Sequence, residues 1–355
     1  MKNYYLLLFI LSSAISIHSQ NKNELFVDSI FSAFDDTISP SISVLLVKDN
    51  ITFIQKSYGY ADIEQKYKAN SDTKYNLGKL SNIIISAAIL KLIDDKKLDY
   101  KDDLNKIFPD FPEYGKNVTI KHLLDQTSGL NSINFDSLKL ITNSEIYNYL
   151  LQQKKLINKP GKKWSPNDCN YAILTLVIEK VTNKPYVKYL KKEVFKPIGI
   201  NNIKVEKINK NIKIKNLAFG YNINYGRYEL NNDNEWYQIK GNEGIFASSN
   251  DMLILYSLFC SDVIYDNKRR NEFYRMRFNP NYHTYSGQGW KVKFNNAQKY
   301  AFQSNNILGY SHLALIIPQE NIYLVILSNQ YPVFDLREKS FKIINKYFDK
   351  NYEIK

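Results

Sequence analysis

Tyr75-Asn-Leu-Gly-Lys-Leu-Ser-Asn82, continued by Ile83-Ile-Ile-Ser-Ala-Ala-Ile-Leu-Lys-Leu-Ile93, is expected to form the centre of the fold. Apolar residues recur in its second half at helical spacing, at positions 85, 88, 89, 92 and 93. Because isoleucine is β-branched and weakens an isolated helix, burial against the rest of the protein has to hold this one. A helix this apolar, opened by a turn at Gly78 and Ser81 and followed by the polar residues 94–97, suits the centre of a domain with its N-terminus at a cleft. Nucleophiles and anion sites are commonly built at such an N-terminus.

Strands are predicted towards both ends of the chain. Residues 41–48 and 52–58 form a hairpin joined at Lys48-Asp49-Asn50, and residues 322–327 form a final buried strand. Helical stripes lie outside these strands at residues 24–34 and 336–348. Residues 98 to about 260 are predicted to be mainly helix and loop.

The composition is that of a globular protein with a basic surface. The chain has 355 residues, 44% of them hydrophobic and 14% aromatic, and a formal net charge of +13. The positive excess is scattered lysine, with no compact basic block interleaved with aromatic residues, so a nucleic-acid groove is not expected. A solvated lysine-rich surface is the favoured interpretation, and a weak attraction to anionic cell-surface polymers is the alternative.

The first 19 residues are predicted to be a secretory signal peptide. Lys2 supplies the positive end, Leu6-Leu-Leu-Phe-Ile-Leu11 the apolar run, and Ser19 a small residue at the cleavage point. We therefore expect a secreted or periplasmic protein with no stable membrane span after cleavage. Cys169 and Cys260 are too few for a disulfide framework, no histidine and cysteine cluster has metal-ligand spacing, and no cofactor is expected.

Several ordered motifs then carry a resemblance to a known family. They are Asp102-Asp103, Phe108-Pro-Asp-Phe-Pro112, Thr119-Ile-Lys-His-Leu-Leu124 and Gln126-Thr-Ser-Gly-Leu130. With the central helix before them, they resemble the serine β-lactamase and penicillin-binding-protein family, in its class-C-like and esterase branch.

The resemblance implies an α/β (α+β) fold of the β-lactamase/transpeptidase type, with a mostly antiparallel sheet flanked by helices. Residues 20–75 and 285–355 would supply the sheet region and residues 76–284 an inserted, mainly helical region. Together they would form one β-lactamase-related domain.

The first catalytic motif of that family is altered in this chain. The family has Gly-Ser-x-Ser-Lys before the central helix, in which the first serine is acylated and the lysine activates it. Here the sequence is Gly78-Lys79-Leu80-Ser81-Asn82. The resemblance therefore assigns Lys79 to the nucleophile position and Asn82 to the lysine position, and Ser81 to the family's second, non-nucleophilic serine.

The other two catalytic motifs are also altered. After a Pro-Gly pair the family has Tyr-Ser-Asn, whose tyrosine shuttles the nucleophile's proton, and here the residues are Pro166-Asn167-Asp168. On the strand beside the cleft the family has Lys-Thr-Gly or His-x-Gly, which fixes substrate and oxyanion. Counting back from Gly309, this chain has Gln303-Ser304-Asn305. Lys79, Asn82, Pro166, Asp168, Gln303 and Asn305 thus stand where the family carries its chemistry.

Some residues match a catalytic pattern only as strings. Ser71-Asp-Thr-Lys74 spells Ser-x-x-Lys in a polar loop, and Tyr265-Asp-Asn267 spells Tyr-x-Asn far downstream. We interpret both as chance matches. His122 is expected to be a packing residue on a helix, and His312 a residue of the sheet.

Three hypotheses for function remain. The leading one is a secreted, non-catalytic homologue that binds an unknown ligand or protein partner, for which a cell-envelope component is one candidate. The second is a hydrolase with replaced chemistry, in which Lys79 has a lowered pKa and acts as a base or amine nucleophile. The third is a structural envelope or secretion-associated protein for which the cleft is irrelevant.

Overall fold

A computed structural model describes residues 23–35, 38–133, 142–205, 214–231, 244–276, 285–307 and 309–353. The predicted signal peptide of residues 1–19 lies outside these ranges and stays a prediction. No helix in the described ranges is long and apolar enough to span a membrane.

The strands of the described residues are numbered in chain order. They are β1 (Ile42–Lys48), β2 (Ile51–Tyr58), β3 (Tyr60–Asp62), β4 (Tyr67–Lys68), β5 (Tyr75–Asn76), β6 (Lys204–Val205), β7 (Tyr221–Asn224), β8 (Arg227–Leu230), β9 (Ile245–Ala247), β10 (Tyr285–Ser286), β11 (Lys291–Asn295), β12 (Gln298–Ile307), β13 (Tyr310–Ile317), β14 (Ile322–Ser328) and β15 (Gln330–Tyr331).

The helices are numbered in the same way. They are α1 (23–31), α2 (Ser81–Asp94), α3 (Leu104–Ile107), α4 (Ile120–Leu124), α5 (Asn143–Leu151), α6 (Asp168–Thr182), α7 (Tyr186–Tyr189), α8 (Ser249–Leu255), α9 (Ser257–Cys260), α10 (Asn267–Phe273) and α11 (Leu336–Phe348).

Both ends of the chain build one antiparallel sheet. Its order is β10-β11-β12-β13-β14-β1-β2, so β14 from the end of the chain pairs with β1 from its beginning. The register sets Ile42 opposite Ser328 and Lys48 opposite Ile322. The predicted fold class, an antiparallel sheet flanked by helices, is confirmed, while the boundaries at residues 75 and 285 stay a prediction.

The sheet is covered on both faces, which explains its continuous apolar strands. Every residue of β13 and of β14 is buried. Alternate residues such as Val44 and Leu324 pack with Phe31 of α1 and Phe341 of α11, while their neighbours pack against the helical region. Successive side chains of a strand point to opposite faces, so a strand buried on both sides needs apolar residues at nearly every position.

Helix α2 forms the centre of the helical region, as its sequence predicts. Eleven of its 14 residues are buried, and it packs against α6. A 3-10 turn, Gly78–Leu80, precedes it. Gly78 has φ of +49°, and a Cβ atom on it would lie 2.5 Å from Oδ1 of Asn305 on β12, so the close approach of turn and strand requires glycine.

Candidate functional site

A cleft opens where the N-termini of α2 and α6 meet β12 and the turn before β11. Its volume is about 140 Å³. The lining residues are Lys79, Asn82, Gln126, Trp164, Pro166, Asn167, Asp168, Tyr171, Ser286, Gly287, Gly289, Trp290, Lys291 and Gln303. Five of the six positions assigned from the resemblance line this cleft, and the sixth, Asn305, contacts its wall.

Lys79 pairs across the cleft with Asp168. Its Nζ lies 3.4 Å from Oδ1 of Asp168, and the two side chains are 44% and 27% exposed. An ion pair with this much solvent contact contributes little to stability, and its lysine stays well hydrated. The geometry therefore gives Lys79 no dry environment of the kind that creates an amine nucleophile.

The backbone of Lys79 is engaged by Asn305. The Lys79 N–H donates to Oδ1 of Asn305 at 3.2 Å, and Asn305 is 2% exposed. A backbone N–H at such a turn is the type of donor that stabilises the oxyanion of an acyl-transfer reaction. Here the protein's own amide oxygen occupies that donor, at the position where the resemblance expects a glycine.

Gln303 is also committed to internal contacts. Its Nε2 donates to the Gly289 carbonyl at 2.8 Å, and its Oε1 accepts from the Ser304 N–H at 3.1 Å. The side chain is neutral and buried, so it brings no positive charge to the cleft. Its role in the described structure is to hold the turn before β11 against β12.

The wall at Pro166 contains no replacement proton shuttle among the described residues. Pro166 has no titratable group, and Asn167 caps α6 by accepting the Cys169 N–H at 3.0 Å. Tyr171 lies at the back of the cleft with its hydroxyl 3.1 Å from Oγ of Ser86. Because burial raises the pKa of Tyr171, this hydroxyl stays protonated and is not available to accept a nucleophile's proton.

Several polar atoms of lining residues have no hydrogen-bond partner among the described residues. They are Oδ1 of Asn82, Oγ of Ser286 and the indole N–H groups of Trp164 and Trp290. Asn82 and Ser286 are only 5% and 2% exposed. A buried polar atom without a partner is costly, so such atoms beside a cavity indicate a place for water or a ligand.

Four lining residues, Trp164, Ser286, Trp290 and Lys291, carry no clear signal in the sequence. They lie in a loop or at the ends of short strands, where no motif marks them. The one local clue is Gly287-Gln-Gly289. A Cβ atom on Gly289 would lie 2.8 Å from the Asn82 carbonyl oxygen, so the glycine lets this turn touch the start of α2.

The segment Ser71-Asp-Thr-Lys74, which matches Ser-x-x-Lys only as a string, does not line the cleft. Lys74 is buried and pairs with Asp251 at 3.0 Å, which also accepts from Ser248 at the start of α8. Ser71 accepts from the side chain of Asn250 through its Oγ. These contacts fasten the segment before β5 to the start of α8, and the Lys74 ammonium is paired with a carboxylate.

The other residues set aside from the sequence are structural. Tyr265 is buried and its hydroxyl donates to the Ala87 carbonyl of α2. His122 caps α4 by accepting the Thr119 N–H through Nδ1. Cys169 and Cys260 are both free thiols. His312 is fully buried on β13, as predicted.

Comparison with known proteins places this chain in one family. The family described as Beta-lactamase matches residues 27–345, and the chain belongs to that family of β-lactamase-related serine hydrolases. Among its relatives is Protein flp of Staphylococcus aureus strain N315, 30% identical over 307 residues that cover 82% of this chain. The chain spans 59% of that protein's length.

Two further proteins are similar to this chain, one in sequence and one in structure. Penicillin-binding protein 4* of Bacillus subtilis strain 168 is 26% identical over 333 residues, covering 88% of this chain and 72% of its own. The solved structure of an octameric penicillin-binding protein homologue from Pyrococcus abyssi superposes with a TM-score of 0.80 at 22% identity, over 93% of this chain and 78% of the other. At that identity the structural likeness shows the fold alone.

Proposed function

We propose that this chain is a secreted, non-catalytic member of the β-lactamase family that retains the cleft as a binding site. The observation that carries the proposal is the hydrogen bond from the Lys79 N–H to Asn305. The side-chain oxygen of Asn305 thereby occupies the N–H that would otherwise hold the oxyanion. Lysine stands at the nucleophile position of the same turn. A substrate carbonyl would have to displace a buried side chain to reach that donor.

The remaining substitutions support the same proposal. Acyl transfer by this family needs a nucleophile, an activating base, a proton shuttle and a polarising strand. Asn82, Pro166 and Gln303 supply none of the last three. In subtilisin, an unrelated serine hydrolase, loss of a single member of the catalytic triad already costs orders of magnitude in rate.

Binding in the cleft is favoured over a purely structural role by its unpartnered polar atoms. A relaxed, unused cleft would be expected to fill with side chains that satisfy one another. Instead, Asn82 and Ser286 keep buried polar atoms without partners among the described residues. The alternative of catalysis by Lys79 gains no support, because its side chain is 44% exposed and paired with Asp168.

Covalent labelling tests the absence of acyl chemistry. The protein from residue 20 onward is incubated with a labelled penicillin and with a fluorophosphonate, beside an active penicillin-binding protein as the positive control. We expect no adduct in the intact mass spectrum of this chain. A stoichiometric adduct on any serine contradicts the proposal, and an acyl adduct on Lys79 supports the replaced chemistry instead.

Secretion is tested separately. The full chain is expressed in a bacterium with a C-terminal tag, and the N-terminus of the exported protein is sequenced. We expect a new N-terminus near Gln20. An intact Met1 in the cytoplasm would contradict the proposed export.

A further inference from the structure

Positive charge is concentrated on one side of the cleft. Lys79 and Lys291 line the same cavity, from the turn before α2 and from the start of β11. The ring of Phe302 links Lys291 to a second cation, since Lys291 Nζ lies 5.7 Å and Arg337 Cζ 5.5 Å from its centroid. These residues form a cationic strip that runs from the cleft to the start of α11.

The charges of the strip act on one another. Burial lowers the pKa of Lys291, and so do the charges of Lys79, Arg337 and Lys293. In the described ranges, no carboxylate oxygen lies within 4.0 Å of Nζ of Lys291, and the Asp168 carboxylate that lines the same cleft pairs with Lys79. A half-buried cation that is next to other cations and lacks a carboxylate leaves a positive potential that an anion would relieve.

A second observation points to a ligand at the same place. Oγ of Ser286, on β10 beside β11, lines the cleft and has no partner among the described residues, although Ser286 is 2% exposed. The register sets Ser286 directly opposite Lys291. A hydroxyl beside an ammonium group is a suitable pair of donors for one oxyanion.

We propose that Lys291 and Ser286 form the core of a subsite for a small oxyanion, a carboxylate or a phosphate group, at the β11 side of the cleft. Lys79 lies at its edge and shares its charge with Asp168. This proposal specifies the charge of the ligand and therefore rests on the binding role proposed above. The cation sits on β11, one strand away from the neutral Gln303 at the family's cation position. A cavity of about 140 Å³ suits a small acid or the acidic end of a larger ligand.

Binding is measured by isothermal titration calorimetry on the chain from residue 20 onward. The probes are succinate, inorganic phosphate and the neutral analogue succinamide, each at low and at physiological salt. We expect one of the two anions to bind and succinamide not to bind. The two anions distinguish a carboxylate from a phosphate ligand.

Matched variants then locate the site. We expect Lys291→Gln to weaken anion binding by about tenfold, since a hydrogen bond to a charged group contributes on that scale. Lys293→Gln is the control, because Lys293 lies on the same strand but does not line the cleft, and it should weaken binding much less. Lys291→Arg keeps the charge and should retain binding if the glutamine variant does not fold.

Three results would overturn the proposal: binding of neither anion, equal binding of succinamide, or equal losses for the Lys291 and Lys293 variants. Equal losses would indicate that anion binding depends on the general positive charge of the surface and not on a defined subsite. These failures differ from that of the proposed function, because a serine adduct would refute the non-catalytic role whether or not anions bind.

Discussion

The turn that carries Lys79 has a rear side and a front side, and the two differ in how their polar atoms are satisfied. Behind the turn lies a rear network of Ser41, Tyr75, His312, Ser328 and Asn329, all buried. In front lies the cleft, whose lining includes the unpartnered atoms of Asn82 and Ser286.

The rear network pairs its polar groups with one another and with the backbone of the sheet. The Tyr75 hydroxyl lies 2.9 Å from Oγ of both Ser41 and Ser43, and His312 Nε2 donates to the Asn76 carbonyl at 2.7 Å. Residues that hold the turn in place therefore have partners, although the motif in front of them differs from the family's catalytic motif. The contrast indicates that the position of the turn and the chemistry in front of it are separable properties.

The largest expected effect comes from Asn329. Its Oδ1 accepts from the backbone and side chain of Ser41, and its Nδ2 donates to the carbonyls of Tyr60, Ala61 and Phe219. Asn329→Leu should lower the free energy of unfolding by about 4 kcal/mol, because several buried backbone groups lose their partner at once. Urea denaturation measures this loss.

Ser286→Ala is the matched control on the front side. It removes a buried hydroxyl that has no partner among the described residues, so the free energy of unfolding should not fall by more than about 0.5 kcal/mol. Equal losses for the two variants would show that the front is as structural as the rear.

The next effect is a pH dependence from His312. Its Nδ1 accepts from the Ser328 N–H at 3.1 Å, so the proton is on Nε2 and the buried ring is neutral. Burial lowers the pKa of His312 to about 4, below the ordinary value of 6.5. Between these pH values the unfolded chain binds the extra proton, so stability falls as pH falls, by about 3 kcal/mol in total.

Urea denaturation at pH 7 and at pH 4.5, on the parent and on His312→Gln, separates this contribution. Burial also lowers the pKa of His122, so His122 adds a pH dependence of stability with the same sign. This contribution remains in His312→Gln. We expect the variant to be less stable at pH 7 but to lose less between the two pH values. An unchanged slope in His312→Gln would mean that His312 is not the titrating group.

Much of the fold follows from the sequence because its signals are local. The apolar spacing of residues 83–93 predicts α2, and residues 336–348 coincide with α11. The places of Lys79 and Pro166 at the cleft were also accessible, through the order of the motifs around them.

What the sequence did not reveal depends on contacts between distant segments. The acceptor role of Asn305 requires the distance between β12 and the turn 226 residues earlier. The side chain of Gln303 turns to Gly289 instead of the cavity, and Lys291 enters the cleft lining from a neighbouring strand. Strand register and side-chain direction decide these features, and neither can be deduced from residue type alone.

The smallest expected effect tests whether the front can be rebuilt. Lys79→Ser with Asn82→Lys restores the family's serine and lysine, but it moves an ammonium group to a position that is 5% exposed and removes the ion pair with Asp168. We expect the free energy of unfolding to fall by about 2 kcal/mol, seen as a lower melting temperature. The buried charge would have no tyrosine partner, because position 166 is proline in this chain.

The double variant should also fail to hydrolyse nitrocefin or a nitrophenyl ester. Pro166 still offers no proton shuttle, and Gln303 still brings no cation. Asn305 still accepts the hydrogen bond from the N–H of residue 79. Lys79→Ser with Asn82→Met is the matched control, since methionine has a similar length without the charge, and it should melt at a higher temperature than the lysine variant. Measurable turnover, or an unchanged melting temperature, would show that the front is closer to a working hydrolase than its contacts indicate, and that its separation from the rear network is incomplete.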